Sequence, residues 1–395
     1  MTPYDTPSHP SDHNSRAPSS PSAPSGPDGG NPSGTSDPHG GDATCPPGSS
    51  GGGLPGTSDP HSGDASHPSG SFAVASGGGR PDSGETFVPG GAIDDWDQPW
   101  HGTFAGLPVL SIEEAPPGPG PVAWLLREAS DLDNASSSPL SAGLDALLAR
   151  VGPSGVRAVV VPGYGASDAQ ELADRAADLP ELRAVFLGAV PAELWEISWI
   201  RQGDITPLLE AYPKLERLDV RGSEGLRLRP VTHEHLRVLR FETGGLPGEV
   251  VRGVAESSFP GLRHLELWLG VAEYGGDHTV ADLGPILSGE RLPALRRLGL
   301  CDSPLQDELA AAVAGAPVVP RLEELSLSMG ALTDTGAEAL LSGQPLTHLR
   351  RLDLHHHFLT PGMADRVRLA LPGVDVDLSE AQHEDDGWAY VAVSE

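Results

Sequence analysis

The sequence predicts an α/β solenoid in which a parallel β-sheet lines a concave face and helices cover the outside. The clearest observation is the pattern LxxLxL, which spans Leu322–Leu327 and returns 27 residues later over Leu349–Leu354. A polar, helix-forming segment separates the two copies. Because side chains alternate between the faces of a strand, the last two leucines of each copy point to the same side.

A degenerate form of this pattern recurs along most of the chain. It opens at eight positions, which are Val156, Leu182, Leu215, Leu236, Leu262, Leu295, Leu322 and Leu349. The intervals scatter around the ~20–29 residues of leucine-rich repeats, with two longer insertions. One copy cannot bury its apolar face alone, whereas a stack buries a continuous core. The sequence therefore favours a leucine-rich-repeat horseshoe over an ordinary α/β domain with leucine-rich strands.

The elements follow in order from the N-terminal side. FAGLPVL (104–110) and VAWLLR (122–127) read as strands that cap the first end of the stack. PLSAGLDALLARV (139–151) is an amphipathic helix that leads into the first repeat strand. Ser167 and Gln170 resemble a capping box that opens the next helix.

Two long insertions interrupt the later repeats. Asp204 is a predicted N-cap of the helix in the first insertion. The segments LQDELAAAVAG (305–315) and MADRVRLAL (363–371) are predicted covering helices. VDVDL (374–378) is the last strand, and GWAYVAV (387–393) is a candidate strand that caps the edge of the sheet.

The domain organisation follows from a change in composition near residue 97. Residues 1–97 are rich in Pro, Gly and Ser and predict a disordered tail, because such a chain buries too little apolar surface to offset the entropy of ordering. Residues 98–395 form the repeat domain, with an N-terminal cap over about 98–155 and a C-terminal cap over about 374–395. Within the tail, GTSDPHGGDA (34–43) is nearly duplicated at 56–65. It is read as low-complexity sequence rather than a weak metal site.

Composition limits the classes of function. The formal net charge is −30, which disfavours binding to nucleic-acid phosphates. The two cysteines, Cys45 and Cys301, lie in unlike contexts, so we expect no disulfide framework and a cytoplasmic location. The N-terminus lacks the pattern of a signal peptide, and no apolar run is long enough to predict a membrane span.

Several strings point to a more specific resemblance. LEELSLSMGALTDTGAEALLSG resembles the ribonuclease-inhibitor-like class of leucine-rich repeat. EISWI (196–200), LTHLRRLDLHHHFL and the terminal YVAVSE are similar to a family of uncharacterised bacterial leucine-rich repeat proteins that is common in actinobacteria. That resemblance implies a cytoplasmic protein of unassigned activity. It also implies an accessory role beside radical-SAM-like or ATP-grasp-like enzymes.

The strand positions between the leucines predict the side chains of the concave surface. They form a stripe of both charge signs with one large aromatic, which suits recognition of a protein or peptide. The predicted partner-binding residues are Arg217, Asp219, Arg221, Arg240, Glu242, His264, Glu266, Trp268, Arg297, Glu324, Arg351, Asp353 and His355. The alternative is a solvated sheet face whose charges pair across strands.

Catalytic and metal-binding patterns are weak. Neighbouring residues of a strand point in opposite directions, so the run His355–His357 cannot converge on one ion, and Asp353 with His355 is the better pair. Neither GxSxG nor HExxH is present, and the single lysine, Lys214, follows Pro213 and cannot complete a Walker A motif. We therefore predict no metal, no cofactor and no catalytic residue.

Three functional hypotheses remain open. The first is a non-enzymatic repeat scaffold that binds a protein or peptide on the concave face. The second is an accessory or substrate-binding subunit of a modifying enzyme. The third is an enzyme in its own right that uses a metal at Asp353 and His355. Two further features have structural interpretations: Trp195 and Trp199 predict packing inside an insertion, and Cys301 is read as an unreactive thiol.

Overall fold

The computed structural model describes residues 102–114, 120–126, 140–163, 165–190, 195–383 and 388–394. The predicted tail (1–97), its duplicated decapeptide, Cys45 and residues 98–101 of the predicted cap lie outside the described residues.

Twelve strands of the described chain form one sheet, in which the spatial order of the strands is the order of the sequence. Their bounds are β1 Thr103–Phe104, β2 Leu107–Ser111, β3 Ala123–Leu125, β4 Ala158–Val161, β5 Ala184–Leu187, β6 Arg217–Arg221, β7 Val238–Glu242, β8 His264–Trp268, β9 Arg297–Cys301, β10 Glu324–Ser326, β11 Arg351–Asp353 and β12 Asp375–Asp377. Strands β1 and β2 form an antiparallel hairpin, and all later pairings of these strands are parallel. This mixed α/β arrangement confirms the predicted repeat architecture.

Eight α-helices of the described residues connect these strands. Their bounds are α1 Leu140–Val151, α2 Asp168–Asp174, α3 Thr206–Ala211, α4 Gly248–Glu256, α5 Gly284–Ser288, α6 Gln306–Ala314, α7 Asp334–Ser342 and α8 Pro361–Ala370. The inward leucines of the strands and the apolar faces of the helices share one continuous core, as the repeat pattern predicts. None of the described helices combines the length and apolar character needed to cross a bilayer.

The predicted helix starts differ from the structure, in which Ile205 rather than Asp204 is the N-cap of α3. Oδ1 of Asp204 accepts a 2.9 Å hydrogen bond from the backbone N–H of Thr206 at the start of α3. Ser167 precedes α2, but its side chain makes no capping bond. Its hydroxyl instead donates to Oε1 of Glu171 at 2.9 Å, so the predicted capping box with Gln170 is wrong.

The turns after the strands lack the asparagine common in such repeats, and backbone groups bond to one another there. The N–H of Val271 donates to the carbonyl of Gly244 at 2.8 Å, and the N–H of Leu246 donates to the carbonyl of Leu269 at 2.9 Å. Gly270 between them has a φ of 62°, and a Cβ there would overlap the Gly244 backbone. Glycine is required at this position because two turns approach without space for a side chain.

The C-terminal residues depart from the prediction. Residues 388–394, called the C-terminal segment below, do not form the predicted edge strand. They run across the carboxyl ends of earlier strands instead. The N–H of Ala392 donates to the carbonyl of Met329 after β10, and the hydroxyl of Ser198 donates to the carbonyl of Ser394. The segment therefore lies across the edge of the sheet at which the parallel strands end.

Candidate functional site

The parallel register aligns side chains in rows on the face of the sheet opposite the helices, here called the second face. The first row consists of Ala123, Ala158, Ala184, Arg217, Val238, His264, Arg297, Glu324, Arg351 and Asp375. The second row consists of Leu125, Val160, Phe186, Asp219, Arg240, Glu266, Gly299, Ser326, Asp353 and Asp377. The rows change from apolar to charged at β6.

The apolar part of the second face is covered by the first hairpin. Phe104 of β1 packs in a cluster with small and apolar residues of β3, β4 and β5. The ring centroids of Phe104 and Phe186 lie 5.8 Å apart. The guanidinium carbon of Arg217 lies 5.0 Å from the centroid of the Phe104 ring. Phe104 therefore covers the second face over β3–β5, and the Arg217 guanidinium makes a cation–π contact with its ring.

The middle of the second face, over β6–β8, holds a buried ion network. Arg217 binds Asp219 through two bonds of 2.9 and 2.7 Å. On the next strand, the guanidinium nitrogens of Arg240 lie close to three carboxylate oxygens. The distances are 3.3 Å to Oδ2 of Asp219, 3.0 Å to Oε1 of Glu242 and 2.8 Å to Oε1 of Glu266. Each of these carboxylates therefore has at least one guanidinium partner, which is the condition for keeping charges inside a protein.

The network keeps the carboxylates of Asp219 and Glu266 ionised. Burial alone would raise the pKa of Asp219, but the charges of Arg217 and Arg240 outweigh it and hold this pKa below its usual value. Burial likewise opposes ionisation of Glu266, and Arg240 with His264 lowers its pKa despite that burial. The indole N–H of Trp268 also donates to Oε1 of Glu266 at 3.1 Å. Glu266 is thus held in one position by three donors.

A groove of about 970 Å³ occupies the second face from β8 to β12. Its floor is low at Gly299 and Ser326, which are neighbours in the second row on β9 and β10. A Cβ on Gly299 would lie 2.9 Å from Cγ of Glu266, so the absence of a side chain keeps this floor open. Residues 390–393 of the C-terminal segment line one side of the groove.

Two carboxylate–histidine pairs stand on either side of this floor. On β8, Nε2 of His264 lies 3.2 Å from Oε2 of Glu266. After β11, Nδ1 of His355 lies 2.8 Å from Oδ1 of Asp353. Burial alone would lower the pKa of His355, but the hydrogen bond and the charge of Asp353 raise it above its usual value. The predicted pairing of Asp353 with His355 is therefore present.

The other two histidines of the run point elsewhere, and all three lie beyond the end of β11 at Asp353. His356 has a φ of 54°, and its Nε2 lies 3.1 Å from the carbonyl oxygen of Tyr390. Nε2 of His357 lies 3.3 Å from the carbonyl oxygen of Leu378. Among the described residues, no group of three or more His, Cys, Asp or Glu is placed to hold a metal ion.

Cys301 lies at the end of β9 in a small apolar cluster. Its neighbours there include Trp268, Met329 and Val393 of the C-terminal segment. Burial raises the pKa of its thiol to about 12, and the nearby charge of Glu266 acts in the same direction. A thiol that stays protonated at neutral pH is a poor nucleophile, which agrees with the unreactive interpretation.

The predicted partner-binding residues fall into two groups. The residues of the first group are buried and do not line the groove: Arg217, Asp219, Arg221, Glu242 and Trp268. The residues of the second group line the groove: Arg240, His264, Glu266, Arg297, Glu324, Arg351, Asp353 and His355. Only the second half of the predicted stripe therefore borders open space.

Some groove residues were not predicted from the sequence. Gly299 and Ser326 occupy the same strand positions as the predicted residues, and the leucine alternation contained the signal for them. Tyr390 and Val393 had no such signal, because their partners lie far away in the chain.

The prediction for the two tryptophans of the insertion is wrong. Trp195 is 42% exposed and Trp199 is 53% exposed. The local structure is a short 3-10 helix over Ile197–Trp199 rather than an α-helix, so the two indoles do not share a buried helical face. Trp199 packs edge-on against Tyr274 of the second insertion, with ring centroids 6.4 Å apart.

Comparison with known proteins supports the fold. No family model matches this sequence, and no curated protein matches it. Among the solved structures that do match is a crystal structure of a protein from Bacteroides fragilis, determined as a structural-genomics target. The two sequences are 27% identical, the TM-score is 0.56, and the match covers 60% of this chain and 69% of that chain. The similarity agrees with a repeat-type α/β fold.

Proposed function

We propose that this chain is a non-enzymatic leucine-rich-repeat scaffold that binds a protein or peptide partner in the groove on its second face. The observation that supports this proposal is the division of that face. The hairpin around Phe104 covers one end, and the ion network around Arg240 fills the middle. The groove over β8–β12 is the part of the described rows that borders open space.

The chemistry of the groove suits recognition more than catalysis. Its walls carry fixed charges of both signs, and such charges set the register of a bound partner. The Glu266 carboxylate is held by Arg240, His264 and Trp268, so it is oriented before a partner arrives. Preorganised polar groups reduce the entropy lost on binding.

A finer version of the proposal rests on the sequence resemblance. Similarity to the actinobacterial-type repeat family favours a cytoplasmic accessory or substrate-binding subunit of a radical-SAM-like or ATP-grasp-like enzyme. In that version the groove holds a segment of the enzyme or of its substrate. A partner recovered through the groove and identified as such an enzyme would support it.

The test is a capture experiment with a blocked groove. Ser326→Phe places a large side chain on the groove floor. Ser342→Phe makes the same substitution on the exposed surface at the end of α7 and serves as the control. We expect the full chain and Ser342→Phe to retain a common partner from native lysate and Ser326→Phe to lose it. A partner retained equally by both variants would contradict binding in the groove.

A further inference from the structure

We propose that the groove selects a peptide segment that carries a basic side chain, an arginine or a lysine. This inference rests on the proposed function above and adds the class of ligand. It follows from the charge of the lining, from the pairing of the lining arginines, and from one buried acceptor that has no donor.

The lining of the groove carries a negative net charge. Three arginines line the groove, and they are Arg240, Arg297 and Arg351. Five carboxylates line it, and they are Glu266, Glu324, Asp353, Asp377 and Glu380. With neutral histidines the lining therefore carries two negative charges in excess, and it carries one when His355, whose pKa is raised beside Asp353, is protonated. A ligand of positive charge complements this surface, whereas an acidic one is repelled.

The arginines of the lining already have carboxylate partners within the chain. Arg297 lies 3.1 Å from Glu324 in the neighbouring strand. Arg351 lies 2.7 Å from Asp377 and 3.3 Å from Asp375. Arg240 is bound within the buried network. The guanidinium groups therefore have carboxylate partners in place, and the excess capacity of the groove is for accepting hydrogen bonds.

Within the described part of the chain, the imidazole of His264 also lacks a partner at one of its ring nitrogens. His264 is 8% exposed, and its Nδ1 is buried without a hydrogen-bond partner among the described residues. Its other nitrogen, Nε2, faces the Glu266 carboxylate, which only accepts, so Nε2 carries the proton in the neutral ring. Nδ1 is then a lone-pair acceptor that lacks a donor. Because Nδ1 has almost no accessible surface, a ligand N–H satisfies it when the imidazole ring turns toward the groove, and basic side chains are rich in such donors.

The groove floor has space for a long side chain. Gly299 and Ser326 leave the floor of β9 and β10 low between the two carboxylate–histidine pairs. A long, unbranched side chain can enter there beside Glu324, whose own side chain is 28% exposed. Charge-assisted hydrogen bonds to a partly desolvated carboxylate are stronger than those made in open water.

The probes are four fluorescein-labelled hexapeptide mixtures. One position is fixed as arginine, lysine, citrulline or glutamate, and the other positions are random. Binding to the full chain is measured by fluorescence polarisation at about 150 mM salt, where exposed charges are screened within about 8 Å. We expect the arginine or the lysine mixture to bind at least about tenfold more tightly than the citrulline mixture, and the glutamate mixture not to bind.

Matched variants separate the groove from the general acidity of the chain. Glu324→Gln with Asp353→Asn removes two charges from the groove. Glu338→Gln with Asp365→Asn removes two charges from exposed ion pairs on α7 and α8. We expect about tenfold weaker binding of the basic mixture to the groove variant and unchanged binding to the control. Glu324→Gln alone should weaken binding in the same direction, which guards against misfolding of the double variant.

Three outcomes would overturn the inference. Equal binding of the arginine and citrulline mixtures would show that charge is not selected, and equal losses in both double variants would show only long-range attraction. Failure of the proposed function is a different result, since Ser326→Phe would then retain the captured partner. If Ser326→Phe loses that partner while the basic mixtures do not bind, groove recognition stands and the basic class is wrong.

Discussion

The backbone N–H of Val393 donates a 2.9 Å hydrogen bond to Oδ1 of Asp302, which joins residues 91 positions apart in the chain. Asp302 follows β9 with a φ of 60°, and its side chain is fully buried. The same stretch of the C-terminal segment packs Val393 against Cys301 and Met329. The last residues of the chain are thus fixed to the middle of the repeat array.

The first prediction concerns this hydrogen bond. Asp302→Gly keeps the positive φ without strain and removes the acceptor for Val393. We expect the free energy of unfolding to fall by about 1–3 kcal/mol, because a buried N–H loses its partner. Urea denaturation measures the loss, and faster chymotryptic cleavage after Tyr390 reports release of the segment. An unchanged cleavage rate would show that the segment is held by its other contacts.

The second prediction concerns the protonation of Asp302. Burial raises its pKa well above the ordinary value, against the opposing hydrogen bonds from Val393 and Ala392. The folded chain therefore holds a proton that the unfolded chain loses above about pH 3.8. Stability from this group declines as pH rises from that value to the folded pKa.

Asp302→Asn removes the titration and keeps an acceptor. We expect its free energy of unfolding, relative to the natural chain, to increase with pH across this window. Parallel denaturation curves at several pH values measure the difference. A difference that does not vary with pH would contradict a raised pKa.

The third prediction tests the ion network. Arg240→Met leaves Asp219, Glu242 and Glu266 without a shared partner in a buried site, and we expect a loss of about 3–5 kcal/mol at neutral pH. The depressed pKa of Glu266 in the natural chain means that this stabilisation is present above its unfolded value of 4.5 and is lost as pH falls. The cost of the substitution should therefore shrink in acid.

Arg366→Met is the matched control for this change. Arg366 pairs with Glu338 on exposed helix surfaces at 2.6 Å, and we expect its free energy of unfolding to remain nearly unchanged. Similar losses in both variants would show that the buried network contributes no more than a surface pair.

The fourth prediction separates three consecutive histidines. Asp353 raises the pKa of His355 against the effect of burial, so its contribution to stability is full below pH 6.5 and is lost as pH rises through the folded pKa. Burial lowers the pKa of His356 and of His357 below 6.5. NMR titration of the ring nitrogens should show His355 titrating last as pH rises. Asp353→Asn should lower the pKa of His355 and leave that of His357 in place, and a common pKa for all three would refute the assignment.

The sequence was sufficient to predict the repeats and their alternation. Leucines at fixed intervals, such as Leu325 and Leu352, identify the core face because these apolar side chains are buried against the helices when the strands pair in register. The positions between them predict which side chains share the second face, and this places Glu266 and Asp353 correctly.

Other features depend on contacts that a local pattern does not contain. GWAYVAV alternates like a strand, yet its partners are Asp302, Met329 and His356 at the ends of three separate strands. Trp195 and Trp199 have helical spacing, but the chain there forms a single turn of 3-10 helix. Arg217 is buried under Phe104 of the first hairpin. The repeat pattern does not predict this contact, because the hairpin is not one of the repeats.

The regular spacing of the strands also fixes the distances between side chains along each row. Neighbouring strands lie about 4.8 Å apart, so β8 and β11 are separated by about 14 Å along a row. An extended peptide advances about 3.4 Å per residue and spans nearly the same distance in four residues. The His264–Glu266 pair stands on β8, and the Asp353–His355 pair stands at the end of β11. A chain laid across the sheet therefore meets the same combination of carboxylate and imidazole at positions i and i+4.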